Sequence, residues 1–279
     1  MIELKGLTKN FGDFCAVDGV NLRIEDGEFF GLLGPNGAGK TTTIHMLSTL
    51  LLPTSGEVWI DGELLTRSRN DLKQKFSLIT QEYSLRQDMN MDEIMMYQGL
   101  LYHMNPKEIR EKSQELLDFC GLTEYRKRGM RRLSGGMKRK LMVCRALLTD
   151  PQILFLDEPT AGMDALARRQ MWDLLTQLNE QGLTIVLTTH YIEEAEMLCE
   201  RVAMIEHGRI EEVDTPVRFI ERLGTFAVDE IGSEGIRTQY FYDKEEALAF
   251  AEGIDGQFRL RDTALEDVFV TMHREKEQG

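Results

Sequence analysis

Glu28–Thr41 reads EFFGLLGPNGAGKT, a short apolar run that gives way to glycines and ends on a lysine and a threonine. The run from Glu28 to Leu33 has strand character and stops at Gly34. Gly34 to Thr41 then fits the pattern GxxxxGK[ST]. A loop with so little side-chain bulk lets its backbone N–H groups converge on phosphate oxygens, and the helix that follows adds a favourable dipole. The predicted phosphate cradle is Gly34, Pro35, Asn36, Gly37, Ala38 and Gly39, with Lys40, Thr41 and Thr42 opening the helix. Lys40 is placed to reach the β and γ phosphates, and the Thr41 hydroxyl to hold Mg²⁺. A strand, a glycine turn and a helix in that order predict a P-loop NTPase core.

Working outward, strands are expected at Ile2–Leu7, Asn21–Ile24, Val58–Ile60, Phe76–Thr80, Ile153–Leu156, Thr184–Thr188 and Val202–Glu206, with Phe11–Val20 joining the first two. Helical patterns fill Lys40–Leu51, Asp92–His103, Pro106–Cys120, Lys138–Thr149, Leu166–Gln181 and Ile192–Cys199. Alternation of this kind implies an α/β fold with a mostly parallel sheet covered on both faces. An N-terminal antiparallel β element precedes it. Residues 82–149 break the rhythm and are expected to form an inserted helical subdomain. Beyond Gly224 the pattern changes to short strands (Phe226–Ile231, Arg237–Tyr242, Gln257–Arg261) and helices (Lys244–Gly253, Thr263–His273), a small α+β extension. The expected division is therefore 1–223 and 224–279.

The chain has 279 residues and a net charge of −14. That balance argues against a nucleic-acid partner, which the phosphate backbone would select to be basic. One basic island exists: Arg126–Lys140 carries eight Lys or Arg and no acid. It reads as a solvated face, or as a contact for anionic headgroups, ahead of any nucleic-acid role. No stretch approaches the length of a membrane span, and the N-terminus predicts no signal peptide. Cys15, Cys120, Cys144 and Cys199 are widely spaced and read as small core residues of a reducing cytosol.

Two further motifs carry chemistry. Ile153–Glu158 is a buried-type strand ending in two acids, which lie at the ligand edge of a parallel sheet. Asp157 is the candidate for Mg²⁺, and Glu158 for polarising the attacking water. Leu133-Ser134-Gly135-Gly136-Met137 precedes a basic helix. It is either a second anion site built on Ser134 and exposed N–H groups or a serine cap with a tight turn.

The order of Gly34–Thr41, Ser134-Gly135-Gly136, Asp157-Glu158, Asp164 and Thr188-Thr189-His190 resembles the nucleotide-binding subunit of ABC transporters. The resemblance spans about residues 2–223. It implies ATP and Mg²⁺ as cofactors, and a head-to-tail dimer in which Ser134, Gly135 and Gly136 of one copy close over the γ-phosphate held by the other. It implies that Gln81 senses Mg²⁺ and water and couples to the membrane partner. It also implies that His190 contacts the γ-phosphate, that Asp164 lies in a dimer-contact loop, and that Phe11 stacks on adenine. Asp164 also reads as a helix cap and Phe11 as a core aromatic. Three positions depart from the family pattern. Phe11 stands where tyrosine is frequent, Met137 where glutamine is, and Ala165 where proline is; none of these removes a catalytic group.

LSGGMKRKL, TTHYIEEAEMLCERVAMIEHGRI and TALEDVF resemble the ATPase subunits of ABC-2-type exporters. This implies a separate membrane permease and a cytoplasmic protein held on the inner face of the membrane through that permease; the second ATP-binding subunit is expected to be a copy of this chain ahead of a different one. A soluble ABC ATPase of DNA repair, translation or cluster assembly is the rival. Met89, Met91, Met95, Met96 and Met104 suit either a docking surface or a subdomain core. Gln81–Met91 with the helix after it is the expected receiver of the permease. The tail either braces the dimer or caps the core.

Overall fold

A computed structural model describes the chain apart from Tyr83, Ser84, Glu234 and Gly279, and apart from the side chains of residues 273–278. In chain order the elements are β1 (Ile2–Phe11), β2 (Phe14–Ile24), β3 (Phe29–Leu33), α1 (Lys40–Leu47), β4 (Ser55–Ile60), β5 (Glu63–Leu64), α2 (Asn70–Lys73), β6 (Phe76–Ile79), α3 (Met91–Leu101), α4 (Pro106–Phe119), α5 (Gly135–Leu147), β7 (Ile153–Asp157) and α6 (Ala165–Glu180). Then follow β8 (Thr184–Thr189), α7 (Ile192–Leu198), β9 (Arg201–Glu206), β10 (Arg209–Asp214), α8 (Pro216–Leu223), β11 (Phe226–Gly232), β12 (Gly235–Phe241), α9 (Lys244–Glu252), β13 (Gln257–Asp262) and α10 (Leu265–Gln278). The chain divides into two compact units, residues 1–190 with 203–212, and residues 191–202 with 213–279.

The centre of the first unit is a six-stranded sheet in the order β10-β9-β3-β8-β7-β6. Every residue of β3, β7 and β8 is buried, which is why they carry the apolar stretches Phe29–Leu33, 153–156 and 185–187 rather than an alternating pattern. β3 with β8, β8 with β7 and β7 with β6 all pair in parallel. Their carboxyl ends therefore share one edge. Gly34, His190 and Gln81 follow β3, β8 and β6, Asp157 ends β7, and all four are delivered to that edge together.

A second sheet, β2-β1-β4-β5, is antiparallel throughout. Here the sequence expectation needs correcting: Phe11–Val20 is not a connection. β1 and β2 run on into a hairpin whose turn is Gly12-Asp13, and Phe11 pairs with Phe14 across it. Gly12, at φ 59°, supplies the left-handed turn conformation. A second correction concerns α1, which stops at Leu47 rather than Leu51. The Ser48 hydroxyl bonds back to the Ile44 and His45 carbonyls, and Thr49 turns left-handed at φ 58°. The helix thus ends well before Pro53.

Between β6 and β7 lies the helical insertion. α3 starts on a capping box, Asn90 with Glu93, and α4 on Asn105 followed by Pro106. Met91 and Met95 are fully buried, so for these two the core reading holds. Of the expected permease receiver Gln81–Met91, Tyr83 and Ser84 lie outside the described residues. In the basic island Lys127, Arg128, Arg131 and Arg132 are exposed, as a solvated face requires, while Arg126 is half-buried and Arg139 buried. Arg126 and Lys127 both pair with Asp92, and Arg139 is 2% exposed. Cys120, Cys144 and Cys199 are buried as expected, but Cys15 is exposed, near the hairpin tip.

The second unit holds a three-stranded antiparallel sheet, β12-β11-β13. Val228 of β11 packs on Ala247 and Ala251 of α9, with Phe226, Phe241, Ile254 and Leu260 around them. α8 was not expected from sequence, although Thr215 caps it and Pro216 opens it, a start signal in plain view. On the other side of this sheet, Arg261 bonds both Asp229 and Asp267. Burial pushes both carboxyls up, but the hydrogen bonds from Arg261, Thr238 and Tyr240 outweigh it and hold them below the usual range. A carboxyl depressed on folding stabilises above its unfolded pKa of about 4 and loses that contribution as pH falls through the folded value. Acid is therefore expected to loosen this unit below about pH 4. Arg261→Gln is expected to remove most of that pH dependence, read by hydrogen exchange of β11 amides between pH 3 and 6.

Candidate active site

The first turn of α1 leaves N–H groups that no helical carbonyl can accept, and the loop before it wraps them. Gly39 is its N-cap at φ 105°. A Cβ there would come within 2.5 Å of the Ala16 carbonyl, and one at Gly34 within 2.1 Å of the Ile205 carbonyl. Both glycines are therefore fixed by close backbone approach, which answers the sequence pattern physically. Lys40 is almost fully buried and donates to the carbonyls of Gly34 and Pro35 at 2.7 and 2.9 Å. Burial pulls its ammonium below the usual lysine range, against the opposing pull of Glu158 and Asp157.

A cavity of about 520 Å³ opens over this loop. Asn36, Gly37, Gly39, Lys40, Thr41 and Thr42 form its floor, and Gln81, Glu158 and His190 stand on one side. Phe11 and Phe14 flank it, 50% and 62% exposed. Sequence reading named Phe11 but missed Phe14; the signal was the glycine turn, which makes the two aromatics cross-strand neighbours. Gly34, Pro35 and Ala38 do not line the cavity. The volume lies in the range of small-molecule sites.

Around the acids the geometry is dense. Asp157 is 2% exposed. Its Oδ1 accepts from Thr41 Oγ1 at 2.9 Å and from Thr188 Oγ1 at 2.6 Å. Glu158 keeps its carboxylate between two partners: His190 Nδ1 lies 3.1 Å from Oε1, and Gln81 Nε2 donates to Oε2 at 3.3 Å. Its backbone is left-handed at φ 48°, a strain of about 1–3 kcal/mol that persists only where surroundings enforce it. Part of the enforcement is Arg139, which the sequence reading left unassigned. Its guanidinium donates to the carbonyls of Glu158, Pro159 and Thr80 at 2.7, 2.6 and 2.6 Å. One side chain of α5 thus braces the backbone under both Glu158 and Gln81. Arg139→Ala would orphan three carbonyls and is expected to cost on the order of 3 kcal/mol or more, measured as a lowered urea midpoint.

Ser134, Gly135 and Gly136 are not among the residues lining this cavity. Ser134 caps α5, accepting from Met137 N–H at 3.2 Å, and Gly136 permits close approach of Ala167, whose Cβ lies 3.2 Å from where its own would be. Asp164 caps α6, accepting from Ala167 N–H at 2.8 Å. Within one chain both capping readings are realised.

A glycine loop over a lysine, at a sheet edge that also carries an acid beside a histidine, is the arrangement of a nucleoside triphosphatase. The profile of the ABC transporter family matches residues 17–161. The chain belongs to the ABC transporter family. It is 36% identical to the Nod factor export ATP-binding protein I of Cupriavidus metallidurans over 98% of this chain and 97% of that protein. It is 35% identical to the linearmycin resistance ATP-binding protein LnrL of Bacillus subtilis over 86% of this chain and 77% of that one. Among solved structures it is similar to a dimeric, post-hydrolysis ATP-binding cassette, MJ0796, bound to ADP and Pi. That similarity is 30% in sequence with a TM-score of 0.69, covering 77% of this chain and 98% of the other. As an ABC ATP-binding subunit, the chain binds and hydrolyses ATP. No helix among the described residues is long and apolar enough to cross a membrane.

Proposed function

We propose that this chain is the ATPase subunit of an exporter, that two copies sandwich two ATP molecules head to tail, and that a separate integral-membrane permease holds them on the cytoplasmic face of the membrane. The observation that carries the catalytic part is the Glu158 carboxylate, which accepts from Gln81 and lies beside His190 at the loop cavity. The exporter names of the relatives favour transport over DNA repair, translation or cluster assembly.

The roles follow from position. The loop from Gly34 to Thr42 cradles the triphosphate, with Lys40 turning from its two carbonyls toward the β and γ phosphates. Phe11, with Phe14 beside it, offers the face on which adenine stacks. Glu158 takes a proton from the attacking water, oriented by Gln81; His190 faces the γ-phosphate and holds the carboxylate in place. Thr41, Asp157 and Gln81 present hard oxygen donors that fit Mg²⁺. A Mg²⁺ held by these residues would supply positive charge against the developing charge of the phosphates. Ser134, Gly135 and Gly136 serve the partner copy: the α5 N-terminus that they form is an anion site with no nucleotide of its own. Functionally, residues 1–223 are the ATPase domain and 224–279 an accessory domain.

Recovery of this chain from its native membranes tests the transport assignment. The expected companion is one integral-membrane protein whose presence raises ATP turnover. Co-purification with nucleic acid or ribosomes and no membrane protein would overturn the assignment.

A further inference from the structure

His45 lies one helical turn beyond Thr41 on α1, so the two side chains share a face of that helix. Thr41 Oγ1 and Thr188 Oγ1 both bond Asp157 through Oδ1. The other carboxylate oxygen, Oδ2, accepts no hydrogen bond from a described residue, and His45 Nε2 faces it at 3.9 Å. The imidazole keeps 28% of its side chain exposed, yet Nε2 itself is buried and has no hydrogen-bond partner among the described residues. A buried ring nitrogen thus stands about 1 Å beyond hydrogen-bond length from an oxygen of a buried carboxylate. Nothing in the assigned chemistry uses it.

We propose that His45 is a positioning residue for Asp157. With its proton on Nε2 it donates to Oδ2, directly after a small shift or through one water, and fixes the carboxylate plane so that Oδ1 meets the metal side of the site. An outer partner of this kind sets the orientation of a carboxylate that serves a cation. The effect reaches further along the same chain of bonds. Thr188 Oγ1, which donates to Asp157, accepts from the Glu158 N–H at 3.1 Å, so a turn of Asp157 is felt at the backbone of the base. The inference rests on the reading of Asp157 as the metal-side carboxylate.

The test measures ATP dissociation constants in EDTA and in Mg²⁺ and takes their ratio, the enhancement that the metal brings. The variants are His45→Phe, His45→Gln, His45→Asn and Asp157→Asn. Phe keeps the ring and loses the donor. The amide nitrogen of Gln falls near the Nε2 position, and that of Asn near Nδ1 instead. His45→Phe and His45→Asn are each expected to lower the enhancement about tenfold with affinity in EDTA unchanged, and His45→Gln to stay within about threefold of the parent. Enhancement intact in the Phe and Asn variants, or lost alike in Asn and Gln, would overturn the role of His45. If the Phe variant does not fold, the Gln and Asn pair decides alone. Asp157→Asn separates the two layers: if it too leaves the enhancement intact, the reading of Asp157 fails, and the role of His45 fails with it.

Discussion

Glu158→Gln is expected to lower the ATP turnover rate by about 10²–10⁴-fold, the usual worth of a positioned general base. Glutamine keeps the size of the side chain and one oxygen, but it cannot take a proton from water. The left-handed backbone at 158 and the Arg139 brace are main-chain features, so the substitution leaves them in place. ATP affinity is accordingly expected to stay near that of the parent. Single-turnover hydrolysis and equilibrium binding, measured side by side, check both halves. Full turnover in the variant would remove Glu158 from the role of base.

The second large effect falls on binding. Lys40→Ala deletes a buried ammonium poised over the loop cavity. Charged hydrogen bonds to phosphate are worth ~2–3 kcal/mol, so the ATP dissociation constant is expected to rise roughly 30- to 150-fold. The same lysine also donates to Gly34 and Pro35, so part of the loss reflects a looser loop. Thermal melting separates the two: the variant melts somewhat lower without nucleotide and gains little when ATP is added. A nucleotide-induced rise equal to the parent's would contradict the cradle.

Much of this was legible in the residues because local chemistry and global position agree. Gly34 and Gly39 are glycines for backbone-contact reasons that any reading of the loop anticipates. β3 and β7 announce themselves by apolar runs, Phe29–Leu33 and Ile153–Leu156. What escaped depended on partners distant in sequence. Arg139 looks like one charge in a basic run, and only the fold reveals that it is buried under Glu158. Phe14 gained meaning once the hairpin register set it beside Phe11. His45 sits in a helix pattern that says nothing of Asp157, more than a hundred residues away. Ser134 and Asp164 show the opposite limit. Each caps a helix in the single chain, so no reading of one copy separates a cap from a contact made between copies.

Sedimentation of the Glu158→Gln protein with Mg·ATP, alone and carrying Ser134→Phe, addresses that point. With Ser134 intact, ATP is predicted to shift the protein from 32.1 kDa to twice that mass; with Phe at 134 it stays single while still binding nucleotide. A nucleotide-loaded protein that remains at 32.1 kDa in both cases, or doubles in both, would contradict a pocket completed by the neighbouring copy.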